Sequence, residues 1–384
     1  MLSTLKVFGI DLKISCMTYD YVVVGAGLTG ALYAHVLKKH GYRVLVMEKG
    51  KKIGGLCSTS LQHGIMVHDY GAHIFRTDDD EVWNFVNSVC EFQPFINTPI
   101  AIYKGKAYNL PFNMNTFAQL YGVTTPKEAY KALQADIRTA PNQIHTLEDY
   151  ILSKVGYKVY KTLIEGYTYK QWGVSAKELS PRVMSHIPIR LTYNNNYYND
   201  KYQGVPKIGY TAFIARLLQG CDVALQCKYN LRYDEFVNSP MITRGVVYTG
   251  PLDELFDYRY GKLDFRSVSF EHKYFENEND LQGVAVFNYT DMDVPYTRSI
   301  EHKHFLHQQC NGTVISYEYP MPASSNGMPI YPVYDDRNLR LQRMYQSLAK
   351  KMPALICAGQ LADYRSYNMS QIVKKVLSWE RKLK

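Results

Sequence analysis

The chain contains 384 residues, of which 46% are hydrophobic and 21% are charged. A chain of this length usually forms two or three domains, and its composition excludes both an intrinsically disordered protein and a membrane protein. It has no run of about 18 uncharged apolar residues. We therefore expect a soluble, cytoplasmic protein with no membrane partner.

The charge indicates the kind of partner, and the cysteines indicate the redox compartment. The formal net charge of +9 is dispersed along the chain, which argues against a nucleic-acid partner and for an anionic small-molecule substrate. The seven cysteines are scattered and include no Cys-x-x-Cys pair. We therefore expect free thiols in a reducing compartment and no metal site.

The first recognisable unit begins near residue 17, after an irregular leader at residues 1–16. An apolar strand at residues 21–24 runs into the turn Gly25-Ala-Gly27-Leu-Thr-Gly30, a helix follows, and residues 43–48 form a second apolar strand. This order predicts a βαβ unit.

The glycine-rich turn has the spacing of a dinucleotide-binding fingerprint. Gly25 permits the tight turn, Gly27 lets the backbone approach a pyrophosphate, and Gly30 lets the helix pack close to the strand. The helix N-terminus offers free amides to the phosphates. Glu48 lies 18 residues after Gly30, at the end of the second strand, where its carboxylate can accept hydrogen bonds from the adenosine ribose.

Two further features favour FAD over NAD as the cofactor. Glu48 is followed by Gly54-Gly55, as in many flavoproteins. Gly359 follows an apolar strand, and a helix begins ten residues after it. That helix supplies a second N-terminus for the flavin end. Amine oxidases and sugar mutases share these features, so they define only a flavoprotein.

The hydrophobic period changes further along the chain. Residues 110–180 follow a helical pattern, and the end of the chain returns to a strand at 354–359 and a helix from about 369. Four segments alternate with the period of antiparallel strands, namely 266–271, 283–288, 297–302 and 313–318. The fold class predicted is α/β, with a helical part and an antiparallel sheet.

Several sequence blocks, in the same order along the chain, resemble the bacterial UDP-galactopyranose mutase family. The resemblance runs from Met17 to about Gln371. The blocks are 69–77, 110–117, Gly166-Tyr-Thr-Tyr-Lys-Gln-Trp-Gly173, 175–179, 195–197, 202–206, 249–251, 256–259, Val294-Pro-Tyr-Thr-Arg298 with the residues up to 304, and 331–333.

The resemblance implies a three-part fold and a homodimer. The parts are a Rossmann-like FAD-binding domain assembled from residues 17–97, 207–255 and 340–384, a helical domain at 112–180, and an antiparallel sheet domain for the substrate at 98–111, 181–206 and 256–339.

The resemblance also implies an activity. The family interconverts UDP-galactopyranose and UDP-galactofuranose, which supplies furanose for cell-surface polysaccharide, and it requires reduced FAD. In the family mechanism, flavin N5 attacks the anomeric carbon and displaces UDP, the sugar ring opens and recloses, and UDP returns. There is no net redox change, but an electron donor, which the sequence does not identify, has to reduce the flavin.

Individual residues receive roles through the same resemblance. Tyr167 corresponds to the ring that stacks on uracil, and Arg298 to the arginine that holds the diphosphate. The predicted catalytic residues are Arg298, His73 and Arg76. The predicted substrate-binding residues are Asn97, Tyr167, Thr168, Trp172, Arg182, His186, Tyr197, Asn288, Arg298, Tyr331 and Ser366. The predicted cofactor-binding residues are Gly25, Gly27, Leu28, Thr29, Gly30, Glu48, Lys49, Gly55, Leu56, His73, Ile74, Gly359, Gln360, Asn368 and Met369.

Five positions depart from the family pattern near the diphosphate or the flavin. Arg76 replaces a histidine, His186 a loop arginine, Gln360 an arginine, Ser366 a tyrosine and Asn368 an aspartate. These changes should weaken the hold on the diphosphate, although asparagine caps a helix about as well as aspartate.

Two arginines can compensate for these losses. Arg182 lies four residues before His186, so on a helix both would share a face and Arg182 could replace the lost arginine. Arg76 could contact either a 2-acetamido group or the phosphates.

Three alternatives remain open at this point. The same chemistry could act on UDP-N-acetylgalactosamine or on the nucleotide of a 6-deoxyhexose or pentose. The chain could instead be an FAD amine oxidase-like enzyme or dehydrogenase, which would not need the blocks around Tyr167 and Arg298. It could also bind a UDP-sugar without turnover.

Overall fold

The computed structural model describes residues 18–137, 143–184, 189–229, 242–323 and 327–383. The predicted leader at residues 1–16 lies outside these ranges. The strands, in chain order, are β1 (Tyr19–Val24), β2 (Val44–Met47), β3 (Thr59–Gln62), β4 (Ile65–His68), β5 (Phe75–Thr77), β6 (Phe92–Pro94), β7 (Ile100–Tyr103), β8 (Lys106–Asn109), β9 (Tyr202–Pro206), β10 (Asp222–Ala224), β11 (Ile242–Tyr248), β12 (Phe265–Phe275), β13 (Val286–Tyr289), β14 (Arg298–Glu301), β15 (Thr313–Pro322), β16 (Tyr331–Pro332) and β17 (Leu355–Cys357). The helices are α1 (Leu28–Lys39), α2 (Asp80–Val89), α3 (Met114–Tyr121), α4 (Pro126–Ile137), α5 (Leu147–Val159), α6 (Glu165–Trp172), α7 (Tyr210–Leu217), α8 (Asp336–Ala349) and α9 (Met369–Glu380).

The glycine-rich turn joins β1 to α1 within a parallel five-stranded sheet. The strand order is β10-β2-β1-β11-β17, and every neighbouring pair is parallel. Val22 and Val23 of β1 are fully buried, as expected for a strand covered on both faces. Helices α1, α2, α7 and α9 share one apolar cluster with these strands. The predicted βαβ unit and the Rossmann-like fold class are confirmed.

A second, seven-stranded sheet has the order β16-β12-β15-β14-β13-β7-β8. Its neighbouring strands are antiparallel except for β13 and β7, which are parallel. The four segments predicted from two-residue alternation correspond to β12 through β15. The longest pairing joins residues 266–275 to residues 313–322.

The region predicted to be helical forms α3 to α6, and α3, α4 and α5 have an apolar cluster of their own. A five-residue π-helical turn, Tyr160–Ile164, connects α5 to α6. No helix within the described ranges is both long enough and apolar enough to cross a membrane.

One strand differs from the predicted domain division. Residues 202–206 were assigned to the antiparallel sheet domain, but β9 pairs with β5 and β6 in a separate three-stranded sheet. This pairing is long-range, so local alternation could not indicate it. The division into three domains stays a prediction.

Candidate active site

A cavity of about 670 Å³ lies beside the glycine-rich turn, within the roughly 300–1,000 Å³ typical of small-molecule and cofactor sites. We call it the dinucleotide cavity. Every predicted cofactor residue except Ile74 lines it. Ile74 packs instead against the apolar cluster that contains Phe95 and Phe305. Sequence reasoning missed other lining residues, among them Tyr229, Tyr248, Thr249, Pro251, Tyr258 and Tyr367.

The backbone of the turn requires glycine at two positions. Gly25 has φ +102°, and a Cβ there would lie 2.2 Å from Thr249 Oγ1. A Cβ on Gly30 would lie 1.9 Å from the Gly25 carbonyl oxygen. Helix α1 begins after Gly27, and no side chain among the described residues caps it. Its first amides are therefore available to an anion such as a pyrophosphate.

Glu48 is fixed at the end of β2 by two backbone amides. Its carboxylate oxygens accept hydrogen bonds from Ala26 N at 2.8 Å and from Gly50 N at 2.6 Å. A carboxylate has about four lone-pair sites, so acceptor capacity remains for two ribose hydroxyls. The donor set and the cavity thus fit a dinucleotide of the FAD type.

Two of the substituted positions, Gln360 and Asn368, line the cavity as well. The Gln360 side-chain amide donates to the Ile330 carbonyl, so this side chain brings no charge toward a pyrophosphate. Asn368 caps α9, and its side-chain oxygen accepts from Gln371 N at 2.8 Å. The exchange of aspartate for asparagine therefore keeps the helix cap.

His73 lines the dinucleotide cavity as a neutral imidazole. Burial lowers its pKa, and the nearby Arg298 guanidinium lowers it as well. Its Nδ1 lies 2.8 Å from the Gly71 carbonyl oxygen. A carbonyl can only accept, so Nδ1 carries the proton and Nε2 keeps a lone pair.

Two buried histidines support the segment that carries His73. The His73 amide donates to His68 Nδ1 at 3.1 Å, and the His68 amide donates to His302 Nδ1 at 3.1 Å. Both Nδ1 atoms must therefore be unprotonated. Burial lowers the pKa of His68 to about 3 and that of His302 well below its ordinary value. Neutral histidines thus connect the cavity segment to the seven-stranded sheet.

This network predicts a loss of stability in acid. The unfolded chain takes up protons at His68 and His302 below about pH 6.5, whereas the folded chain does not. Each histidine should therefore lower the free energy of unfolding by about 1.4 kcal/mol per pH unit well below pH 6.5. Urea unfolding between about pH 6 and pH 4 measures the slope.

The control compares two histidine substitutions. His302→Asn keeps an acceptor for the His68 amide and removes one titrating group, so its slope should be shallower by about 1.4 kcal/mol per pH unit. His145 is exposed, and His145→Asn should keep the wild-type slope. Equal slopes for all three proteins would contradict the assignment.

A second group of polar residues surrounds Arg298 on β14. Arg298 Nε donates to Glu318 Oε2 on the neighbouring strand β15 at 2.5 Å. Burial by itself lowers the pKa of Arg298, but the Glu318 carboxylate raises it well above its ordinary value. Asn288 lies opposite Arg298 on the other side, in β13.

Three predicted substrate tyrosines, Tyr167, Tyr197 and Tyr331, lie within electrostatic reach of Arg298. Burial raises the pKa of each, and the guanidinium opposes that rise. Because the net shift is upward, all three hydroxyls keep their protons and can donate. We call Arg298, Glu318 and these three tyrosines the arginine cluster.

Asn97 and Thr168 are also buried close to this group. The Asn97 carbonyl accepts from Tyr197 N at 2.8 Å, which places Asn97 beside the cluster. Its buried side-chain oxygen has no hydrogen-bond partner among the described residues. This acceptor can take a hydrogen bond from an ordered water or a ligand. Thr168 and Trp172 lie on α6 with Tyr167.

Arg182 is exposed on a three-residue 3₁₀ turn, Pro181–Val183, and the backbone is extended at Met184. His186 lies outside the described residues, so the replacement of the lost arginine by Arg182 stays a prediction. Ser366 is exposed, and its amide donates to the Tyr334 hydroxyl at 2.9 Å.

Arg76 on β5 is paired with a carboxylate. Its Nη1 donates to Asp200 Oδ2 at 2.7 Å, and its guanidinium carbon lies 4.2 Å from the centre of the Tyr198 ring. Its charge also acts on the neighbouring Tyr197. Arg76 therefore adjoins the arginine cluster.

Sequence reasoning missed Asp200, Tyr198 and Glu318. Of these three, only Glu318 stands out in the sequence, because it is the single charged residue in β15. The structure shows that Glu318 is only 1% exposed. A carboxylate at a buried strand position requires a partner.

Together, the fold and these adjoining groups define a dinucleotide-binding enzyme with a half-buried, arginine-centred site. Comparisons with known proteins agree with this class. A sequence profile described as UDP-galactopyranose mutase matches residues 162–366, and a profile for an NAD(P)-binding Rossmann-like domain matches residues 23–89.

Two curated relatives are similar over most of their length. The probable UDP-galactopyranose mutase of Klebsiella pneumoniae is 34% identical over 362 residues, which cover 93% of each chain. The dTDP-fucopyranose mutase of Escherichia coli is 34% identical over 363 residues, which cover 93% of this chain and 96% of that protein. A crystal structure of a reduced UDP-galactopyranose mutase shares the fold, with a TM-score of 0.73 at 14% identity over 96% of this chain and 95% of the other.

The chain therefore belongs to the UDP-galactopyranose mutase family. It is an isomerase, and its cofactor is a flavin. The family resemblance and the enzyme class predicted from the sequence are confirmed. The roles of the individual site residues stay predictions.

Proposed function

We propose that this enzyme interconverts the pyranose and furanose forms of UDP-galactose, with no net redox change. The observation that carries the proposal is that His73 lines the dinucleotide cavity and also lies within electrostatic reach of Arg298. A sugar held between the two groups would have its diphosphate at Arg298 and its ring at the flavin end of the cavity.

The arginine cluster has the chemistry to hold and release a diphosphate. The Arg298 guanidinium offers charge-assisted hydrogen bonds to pairs of oxygens. These bonds strengthen as negative charge develops on the departing UDP, so they favour the transition state over the bound substrate. Tyr197 and Tyr331, which keep their protons, donate to the same phosphates.

The nucleotide half is assigned to helix α6 and to Asn97. Tyr167 and Trp172 offer aromatic faces for the base, while Thr168 and the unpartnered oxygen of Asn97 offer polar contacts. The residues that line the dinucleotide cavity would hold FAD, which in its reduced form would supply a nucleophile toward the sugar. His73, neutral and hydrogen-bonded to Gly71, keeps a fixed orientation at the cavity wall.

The resemblance to the family supports the remaining parts of the proposal. These are that the enzyme acts in the cytoplasm as a homodimer and that a separate electron donor reduces its flavin.

The experiment that tests the proposal most sharply measures which sugar nucleotide the enzyme prefers. The two relatives at 34% identity are named for different substrates, UDP-galactopyranose and dTDP-fucopyranose. We expect reduced enzyme, offered UDP-galactose, UDP-N-acetylgalactosamine and dTDP-fucose separately, to give the highest kcat/KM with UDP-galactose. Chromatography of the products measures each conversion. A higher kcat/KM with dTDP-fucose would overturn the choice of substrate and leave the mutase chemistry standing.

Arg76 should act on the phosphates rather than on the sugar. Its position beside Tyr197 and its pairing with Asp200 favour that role over contact with an acetamido group. We therefore expect Arg76→His to lower kcat/KM by about 10-fold, or ~1.4 kcal/mol, for UDP-galactose and UDP-N-acetylgalactosamine alike. A loss confined to the acetamido sugar would assign Arg76 to that group instead.

A further inference from the structure

Helix α6 carries, among its proposed nucleotide-binding residues, a lysine with a different set of contacts. The Lys170 ammonium donates to three backbone carbonyls, those of Tyr289 at 2.8 Å, Val294 at 3.0 Å and Tyr296 at 2.9 Å. An ammonium has three donors. Lys170 therefore directs all of them at the seven-stranded sheet and keeps none for a ligand.

These three carbonyls lie at the end of β13 (Tyr289) and in the connection from β13 to β14 (Val294 and Tyr296). Tyr289 directly follows Asn288, and Tyr296 lies two residues before Arg298. Asn288 and Arg298 face each other across the two strands. One side chain of α6 thus holds both ends of the connection that joins the two proposed sugar and diphosphate residues.

The sheet contacts α6 in return. Arg266 Nε, from β12, donates to the Gln171 carbonyl at 2.9 Å near the C-terminal end of α6. At the other end, a Cβ on Gly166 would lie 2.3 Å from the Thr290 carbonyl oxygen. Helix α6 therefore packs against the sheet domain near both of its ends, and Lys170 lies between the contacts at Gly166 and Gln171.

We propose that Lys170 is a positioning residue that fixes the nucleotide-binding face of α6 relative to Arg298. This inference rests on the proposed function, because it assumes that α6 binds the nucleoside and Arg298 the diphosphate. The affinity of a ligand that contacts α6 but not Arg298 should not depend on Lys170. A ligand that spans α6 and Arg298 gains affinity from the fixed spacing and should depend on it.

The test compares uridine, which contacts α6 and Asn97 but does not reach Arg298, with UDP, which spans α6 and Arg298. We expect Lys170→Met to leave the dissociation constant of uridine unchanged and to raise that of UDP by about 10-fold or more. Lys170→Gln, which offers two donors, should give an intermediate value. Equilibrium dialysis measures both constants without turnover, so the result does not depend on the choice of sugar substrate.

The matched control is Lys161→Met. Lys161 is exposed, lies just before α6 and pairs with Glu165, the first residue of that helix. This variant should keep the wild-type ratio of the two constants. Flavin content and the unfolding midpoint show whether each variant is folded. If Lys170→Met is not folded, the ratio of the UDP and uridine dissociation constants in Lys170→Gln tests the proposal. A wild-type ratio in the folded Lys170 variants would overturn the proposal. Failure of wild-type enzyme to convert any UDP-sugar would instead overturn the proposed function.

Discussion

Substitution of Arg298 by alanine should lower kcat by at least about 10³-fold while the flavin stays bound. The guanidinium is the centre of the arginine cluster, and its contact with the diphosphate strengthens as UDP leaves. The flavin should remain because Arg298 does not line the dinucleotide cavity. Turnover under reducing conditions and the visible flavin spectrum measure the two effects.

The alanine variant also has a structural cost, which a second variant separates. Glu318 is 1% exposed, and loss of its partner leaves a buried charge, at a cost of roughly 3–5 kcal/mol in stability. Arg298→Lys keeps a positive charge beside Glu318 but loses the planar fork that fits paired oxygens. It should fold like the wild type and still lose most turnover. Wild-type turnover in Arg298→Lys would remove the arginine from the mechanism.

The second large effect should come from Glu318, which holds Arg298 in place. Besides the bond to Arg298, its Oε1 is buried without a partner in the described structure. That oxygen lies where a side chain on Gly71 would be, since a Cβ there would approach it to 2.7 Å. Glu318 therefore sits between the arginine and the segment that carries His73.

We expect Glu318→Gln to lower kcat/KM by about 10- to 100-fold, or ~1.4–2.7 kcal/mol. Glutamine keeps the shape but replaces a charge-assisted bond with a weaker neutral one, so the guanidinium is held less firmly. In Arg298→Lys protein the same change should cost much less, because the group it orients is already absent. Fully additive losses in the double variant would show that Glu318 acts independently of Arg298.

Local sequence was sufficient for the cofactor side of the molecule. The turn from Gly25 to Gly30 and the acid Glu48 lie within one βαβ unit, where spacing alone determines geometry. The structure places them around one cavity. Ile74 does not line that cavity, and its side chain packs against the cluster that contains Phe95 and Phe305; its cofactor role stays a prediction.

The arginine cluster could not be assembled from sequence patterns alone. Its members come from α6, β14, β15, β16 and the connection that contains Tyr197, and the Arg298–Glu318 pair depends on the register of two strands. The family resemblance supplied four of the five residues and omitted Glu318. The role of Arg182 stays a prediction, although the helix it assumed is interrupted where the chain becomes extended at Met184.

In the proposed reaction the flavin takes part in each turnover but is not consumed. The direct measurement is to reduce the enzyme once under anaerobic conditions, add a large excess of UDP-galactose, and follow both the furanose product and the visible flavin absorption. The proposed mutase should complete many turnovers per flavin while the oxidised flavin band stays absent. Product limited to one equivalent per flavin, with the oxidised band returning in step, would identify an oxidoreductase and contradict the account.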